Sequence, residues 1–335
     1  PLIGAVAAGN TVVLKPSELT PNTSALLTKI IKNVFPPEFV TVVEGGVDTS
    51  TKLLDQVWDY IFFTGSVGVG KIVAKAAAPN LTPITLELGG KNPCIIDESA
   101  KIQLTAKRIV WGKFLNAGQT CIAPDYILIH HSKKEAFYKA IKTEIEAAFG
   151  TTPETSPDYT RIINKDHFER LTGLIKNETI ITGGQQNIND NYLAPTILDE
   201  CSLESDVMQD EIFGPILPVI SYTSESELQT IINSYAKPLA FYVFSSNMDK
   251  TKKLMDEFSF GGGVINDTII QFTNHRLPFG GVGESGIGAY HGKHSFTTFS
   301  HQKAVVKKAT WLDLPFRYAP YGDKLKTLKK VLKWL

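Results

Sequence analysis

Apolar positions along this chain return in two alternating rhythms. TVVLK, FVTVVEG and YIFFT are short β-rich runs, and they are followed by SALLTKIIKNVF, TSTKLLDQV and VGKIVAKAAA, whose apolar residues recur at helical intervals. Continuous short apolar runs suit strands buried on both faces, whereas one apolar stripe suits a helix lying on a sheet. The alternation predicts βαβ units on a parallel sheet covered by helices on both faces. The first layer closes near residue 87 at PITLELGGK. The pattern then restarts with NPCIIDE, LTAKRIVWGKFLN, YILIHH and KKEAFYKAIKTEIEAAFG. Between residues 151 and 191 Gly, Asn, Asp and Pro become frequent, which predicts surface loops around one helix, DHFERLTGLIK. Strands are expected again at APTILDE and ILPVISY, and no further strand is read after them. The chain divides into an α/β unit over 1–87, a second α/β unit over 88–299 and a basic, irregular tail over 300–335.

Composition narrows the partners. With 335 residues, 43% of them hydrophobic, the chain can bury one large core or two medium ones. Lys+Arg and Asp+Glu both number 34, so no global basic field gathers nucleic acid. Cys94, Cys121 and Cys201 lie far apart without CxxC or Cys/His spacing, which fits a reducing, cytoplasmic setting rather than a disulfide framework. His291 and His294 in YHGKH lack further ligands, so no metal is expected. The opening PLIGAVAAGN starts in mid-pattern, and a missing N-terminal part is expected. No apolar run approaches the ~20 residues a membrane span needs, so the chain is read as soluble or peripheral. In YGDKLKTLKKVLKWL, Leu325, Leu328, Leu332 and Leu335 keep helical spacing among lysines, with Val331 and Trp334 close by. That pattern suits a helix in a membrane interface, a solvated helix or a tail packed on a partner.

Three stretches carry candidate chemistry. YIFFTGSVGVGKIVAKAAA joins a strand, a glycine turn and a helix, the arrangement in which a helix N-terminus meets an anion. It misses the Walker pattern, because Ile72 stands where a magnesium-binding hydroxyl belongs, and Gly65, Gly68 and Gly70 miss the GxGxxG spacing. A phosphate site and a plain tight turn both remain open here. FLNAGQTCIAPDY places Cys121 among small and polar residues that let backbone approach closely. A nucleophilic thiol there needs its pKa drawn down toward neutrality, and the Cys121 N–H is a candidate oxyanion donor; a packing thiol is the alternative. Cys94, in an apolar strand, reads as buried and inert, and the acidic neighbours of Cys201 should raise its pKa. Glu87 ends the apolar strand ITLE before two glycines, where desolvation would raise its pKa toward that of a useful general base. Glu211, in MQDEIFGPILPV, repeats that setting. An ordinary loop carboxylate is the alternative for each.

VVLKPSE, FTGSVGVGK, LELGGKNP, FLNAGQTCIAPDY, QDEIFGPILPV and LPFGGVGESGIGAYHGK, in this order and over nearly the whole chain, resemble the aldehyde dehydrogenase superfamily, specifically its class 3 branch with the fatty aldehyde enzymes. The resemblance implies a Rossmann-like coenzyme domain, incomplete at its N-terminus, over 1–87, and an α/β catalytic domain over 88–299. It implies NAD(P)-dependent oxidation of medium- or long-chain aldehydes: a Cys121 thiolate adds to the aldehyde, the thiohemiacetal passes hydride to the nicotinamide, and activated water hydrolyses the thioester. Cys121 then matches the nucleophile and Glu87 the base, with the division of base duty between Glu87 and Glu211 open. Glu211, beside Phe213, matches the nicotinamide-ribose contact, and Lys15 and Glu18 the adenine-ribose contacts. Gly65, Ser66, Gly68 and Gly70 match the pyrophosphate turn, and Asn266 a loop asparagine near the substrate. Gly280 and Gly281 match a structural turn. A homodimer is implied. The family's second oxyanion donor, an upstream asparagine, has no counterpart in the chain, so poor folding and weak activity of this piece are expected. A P-loop nucleotide hydrolase and a non-catalytic scaffold are the competing classes.

Overall fold

The computed structural model describes residues 1–334. The first compact unit runs from Pro1 to Ser300 and the second from His301 to the end. In the first unit, β1 (Val12–Leu14) and β2 (Val40–Val42) form a parallel pair of their own, and β3 (Ile61–Thr64) pairs in parallel with β4 (Ile84–Glu87). A larger sheet is built from β5 (Pro93–Ile96), β6 (Tyr126–His130) and β7 (Thr179–Thr182). After a small hairpin of β8 (Gln186–Asn187) and β9 (Tyr192–Leu193), it continues with β10 (Thr196–Asp199), β11 (Ile216–Tyr222), β12 (Ala240–Phe244) and β13 (Gly262–Ile265). Its order is β13-β12-β5-β6-β11-β10-β7. Every pairing is parallel except the edge strand β7 against β10. Residues of β5 and β12 and nearly all of β6 and β11 are buried, as strands covered on both faces must be.

The helix Lys134–Phe149 shows why the covering works. Phe137, Ile141 and Ile145, spaced by four, are buried and lie over the partner helix Ile102–Phe114, while the lysines and glutamates between them face water. AFYVF is entirely buried as β12, between β13 and β5 in the large sheet. It completes the core beside β5, although the sequence reading placed no strand there.

The first layer differs from expectation in two ways. Residues 1–87 form two separate small sheets rather than one. The second of these takes an antiparallel strand from far along the chain, β14 (Gly286–Ile287), with Gly286 opposite Glu87. The helix Leu2–Ala7 packs on the helix Gly292–Thr298, and a Cβ on Gly4 would lie 2.5 Å from the Ser295 Cβ. β14 and that helix, both inside the stretch 88–299, thus pack on elements of residues 1–87, and the compact unit ends at Ser300. A two-residue strand has no periodicity to read, so only long-range pairing creates it.

Gly280 and Gly281 make the return possible. A Cβ on either would stand 2.2 Å from the Gly288 carbonyl oxygen or 2.1 Å from that of Ser285, so the glycine turn is structural. In the second unit, the helix Lys324–Val331 follows a short turn at Pro315–Arg317, and Leu325, Leu328, Val331, Leu332 and Trp334 are exposed. Leu335, the last residue of the proposed stripe, lies outside the described residues. No helix among the described residues is long and apolar enough to cross a membrane.

Candidate active site

The Cys121 loop begins where the helix Ile102–Phe114 stops. Asn116, Ala117 and Gly118 take three consecutive left-handed conformations (φ 54°, 50° and 72°). Such a run is costly for residues with side chains and persists only where surroundings fix it. Glycine is required at 118, where a Cβ would come within 2.2 Å of the Gly214 carbonyl oxygen. Side-chain amides supply the fixing. Asn116 donates to the Gln119 carbonyl at 3.0 Å. Gln119 donates to the Asn116 and Arg161 carbonyls, both at 3.1 Å, and accepts from the Ile163 N–H at 2.9 Å.

Asn92, buried two residues after the LELGG stretch, holds the other side. Its amide donates to the carbonyls of Cys121 (2.8 Å) and Ala123 (3.1 Å), its Oδ1 accepts from the Ala240 N–H (2.8 Å), and its own carbonyl accepts from the Asp125 N–H (2.9 Å). Buried polar groups satisfied in this number rigidify what they join. Tyr242 adds a bond from its hydroxyl to the Ile122 carbonyl at 2.5 Å. Asn92 was not singled out from the sequence. Its place in GGKNP beside the candidate base was the available signal.

Two carboxylates face this loop. Glu87, at the end of β4, is 3% exposed and neither of its carboxylate oxygens has a partner. Burial pushes it up to about 8. Glu211 follows the short helix Asp206–Gln209, and its carboxylate occupies the space a Cβ on Gly89 would need, 2.1 to 2.4 Å from it. The glycine of LELGG thus makes room for the glutamate of EIFGP, a link that sequence spacing cannot reveal. Burial first, then the neighbouring Asp125, push Glu211 up to about 8.

Cys121 is half-buried, and burial, then Glu211, then Glu87 push its thiol up to about 12. The N–H groups of Cys121 and Ile122 oppose this only weakly. The expectation of a thiol drawn toward neutrality is corrected: the same carboxylates that suit base chemistry raise the cost of a thiolate beside them. Cys94 is fully buried and its thiol is pushed well up. Cys201 is also buried and raised, first by burial, then by Glu178, which is distant in sequence, with its near neighbour Asp199 adding to the rise. Lys113, on the helix before the loop, is fully buried with no hydrogen-bond partner for its ammonium, and burial pulls it down to about 8.

The glycine turn lies directly against the base. The Gly65 N–H donates to the Glu87 carbonyl at 3.1 Å, and the Ser66 hydroxyl caps the helix Val67–Ala77 by accepting from the Val69 N–H at 3.4 Å. Gly70 lies against Leu88, where a Cβ would meet the Leu88 methyl at 2.7 Å, while nothing stands within 4 Å of the Cβ position at Gly68. An open helix start without side-chain bulk fits a pyrophosphate. Lys71 points elsewhere, paired with Glu284 at 2.8 Å, and Ile72 offers no metal ligand, so the nucleotide-hydrolase arrangement is lacking. Lys15 and Glu18 pair with each other at 2.5 Å, which holds the Glu18 carboxyl below its usual range. Phe213 is partly exposed with φ 48° immediately after the buried Ile212.

Asn266 uses its side chain within the fold: it accepts from the Ser245 N–H and donates to the Ser245 carbonyl, both at 2.8 Å, and so clips β12 to the turn after β13. Among the described residues no group of three or more His, Cys, Asp or Glu side chains gathers as a metal site.

Comparison with known proteins matches residues 1–305 to the aldehyde dehydrogenase family. The chain is 47% identical over 335 residues to 4,4'-diaponeurosporen-aldehyde dehydrogenase of Staphylococcus aureus, covering 99% of this chain and 73% of that protein. It is 50% identical over 308 residues to mouse aldehyde dehydrogenase family 3 member A2, covering 92% of this chain and 64% of that protein. A solved structure described as the substrate-bound state of Staphylococcus aureus AldH superposes with a TM-score of 0.97 at 47% identity, over 99% of this chain and 73% of the other.

Proposed function

The chain belongs to the aldehyde dehydrogenase family, and from that premise we propose that it carries the nucleophile, the base and much of the coenzyme site for oxidising an aldehyde to a carboxylic acid. The observation that carries this reading is the seating of Cys121 beside the buried Glu87 and the half-buried Glu211, on a loop held by Asn92 from the segment that follows the Glu87 strand. Gly65, Ser66, Gly68 and Gly70 would hold the pyrophosphate of NAD or NADP, Lys15 and Glu18 the adenine ribose, and Glu211 with Phe213 the nicotinamide ribose. When bound, the coenzyme supplies the two-electron acceptor for the hydrogen leaving the aldehyde carbon.

The residues of the chain do the rest. The Cys121 thiol gives its proton to an ionised neighbouring carboxylate, directly or through water, and its sulfur bonds to the carbonyl carbon. The carbonyl electron pair moves to oxygen, toward the N–H groups of Cys121 and Ile122 that reach the sulfur. In the closing half, water attacks the thioester, Glu87 takes the water proton, and the carbon–sulfur bond breaks to return the Cys121 thiolate. Glu87 works as carboxylate, so acyl release should rise with pH through about 8.

A medium- or long-chain aliphatic aldehyde is the proposed substrate; an open groove of about 680 Å³, with apolar walls at Val110, Trp111, Phe114, Leu115 and Phe149 and charged ones at Lys107, Glu144 and Asp158, reaches Asn116 in the loop that leads to Cys121. We assign the coenzyme unit to residues 1–87 together with the returning strand β14, the catalytic unit to the large sheet and its helices, and a separate tail to the residues after Ser300. Free cysteines suit a cytoplasmic setting. The exposed leucines and lysines of the tail suit reversible peripheral contact with an anionic membrane. A homodimer is proposed on the family resemblance alone.

The test is coenzyme-dependent oxidation of aldehydes of increasing chain length by the full-length protein and by Cys121→Ala. Turnover lost in the variant and rising with chain length is expected. Turnover surviving Cys121→Ala refutes the assignment.

A further inference from the structure

One buried ion pair straddles Glu211. Lys91 and Asp125 meet at 2.5 Å, with side chains 5% and 4% exposed. The Lys91 ammonium also donates to the Val207 carbonyl at 2.9 Å, four residues before Glu211, and Asp125 Oδ1 accepts from the Ile212 N–H at 3.0 Å, one residue after it. Arg170 adds a bond to the Ile212 carbonyl at 2.7 Å. The backbone is thus fixed on both sides of Glu211. Lys91 adjoins Asn92, which holds the Cys121 carbonyl, and Asp125 lies four residues beyond Cys121 in the same loop.

Resting on the reading above, we propose that Lys91 and Asp125 are positioning residues that set the Glu211 carboxylate against the Cys121 loop. An ion pair in this place is weak support for stability alone, because removing two charges from water cancels most of their attraction. Its geometry is specific in what it joins: one side chain spans from the connection after the Glu87 strand to Val207, the other from the Cys121 loop to Ile212. A displacement of Glu211 by ~1 Å is enough to cost ~10²-fold in rate where reacting groups must align.

The experiment separates position from charge in the full-length protein. Lys91→Met/Asp125→Asn removes both charges yet keeps an oxygen for the Ile212 N–H, whereas Lys91→Met/Asp125→Ala removes both charges and the acceptor. At thermal midpoints within a few degrees of each other, the Asn double variant should exceed the Ala double variant by ~10²-fold in kcat/KM for coenzyme. Their KM values for aldehyde should differ only a few-fold. Equal coenzyme kcat/KM in two equally stable variants overturns the proposal.

Amide hydrogen exchange of the unmodified protein adds a measurement that needs no variant. The Ile212 N–H should be as protected as the neighbouring strand β11, and exchange at the rate of an exposed loop overturns the proposal whether or not the variants fold. Wild-type protein without aldehyde oxidation would defeat the functional reading while leaving this exchange result to judge the clamp.

Discussion

Glu87→Gln should separate acyl release from acyl formation and also change how stability follows pH. In the folded chain burial pushes the Glu87 carboxyl from 4.5 to about 8. The folded protein keeps this proton up to about pH 8, whereas the unfolded chain has released it by pH 5 to 6, so wild-type stability falls as pH rises across that window. Each pH unit within the window weighs ~1.4 kcal/mol. The variant has no proton to hold, so its stability relative to wild type should rise by about 2.5 kcal/mol between pH 5 and pH 7. The cost of burying the glutamine amide is the same at both pH values and cancels, as does the titration of Glu211 to the same order. Urea unfolding of both proteins at pH 5, 6 and 7 measures the difference. In rapid mixing with aldehyde and coenzyme, the variant should release one equivalent of reduced coenzyme and then turn over ~10²- to 10⁴-fold more slowly. A stability difference that stays constant with pH would refute the buried, protonated state of Glu87. Loss of the first equivalent, with folding and coenzyme binding intact, would refute its role in acyl release.

Iodoacetamide should label Cys121 before Cys94 and Cys201, because Cys121 alone among them is accessible. The rate should keep climbing beyond the range of an ordinary thiol, and Glu211→Gln should speed labelling at pH 9 by removing a negative neighbour; equal rates at all three cysteines, or no response to the variant, would count against the site. Glu18→Gln should raise the relative kcat/KM with NADP, since Glu18 is held ionised by Lys15 and repels a 2′-phosphate; an unchanged coenzyme ratio would remove Glu18 from the ribose site. The full-length protein should float with anionic liposomes at low salt better than a form ending at Pro320, with each lysine at the surface contributing ~1 kcal/mol. Equal flotation of the two forms would remove the tail from membrane contact.

Residues that act through local pattern were legible in the sequence. The βα alternation, the glycine turn at Gly65–Gly70, the cysteine in FLNAGQTC and the lone carboxylate ending ITLE each carry their signal within a few residues, because strand and helix periods and helix-start chemistry are local. Chemistry set by neighbours brought from afar was decided only by the tertiary structure. The Cys121 thiol is raised rather than lowered because the fold buries it and, second, because Glu211, 90 residues away in sequence (211 less 121), settles beside it in the space left by Gly89. Asn266 spends its amide on Ser245, Asn92 ties three segments together, and β14 crosses the chain to lie opposite Glu87. In each case burial and charge act through distance in space, a quantity the order of residues does not contain.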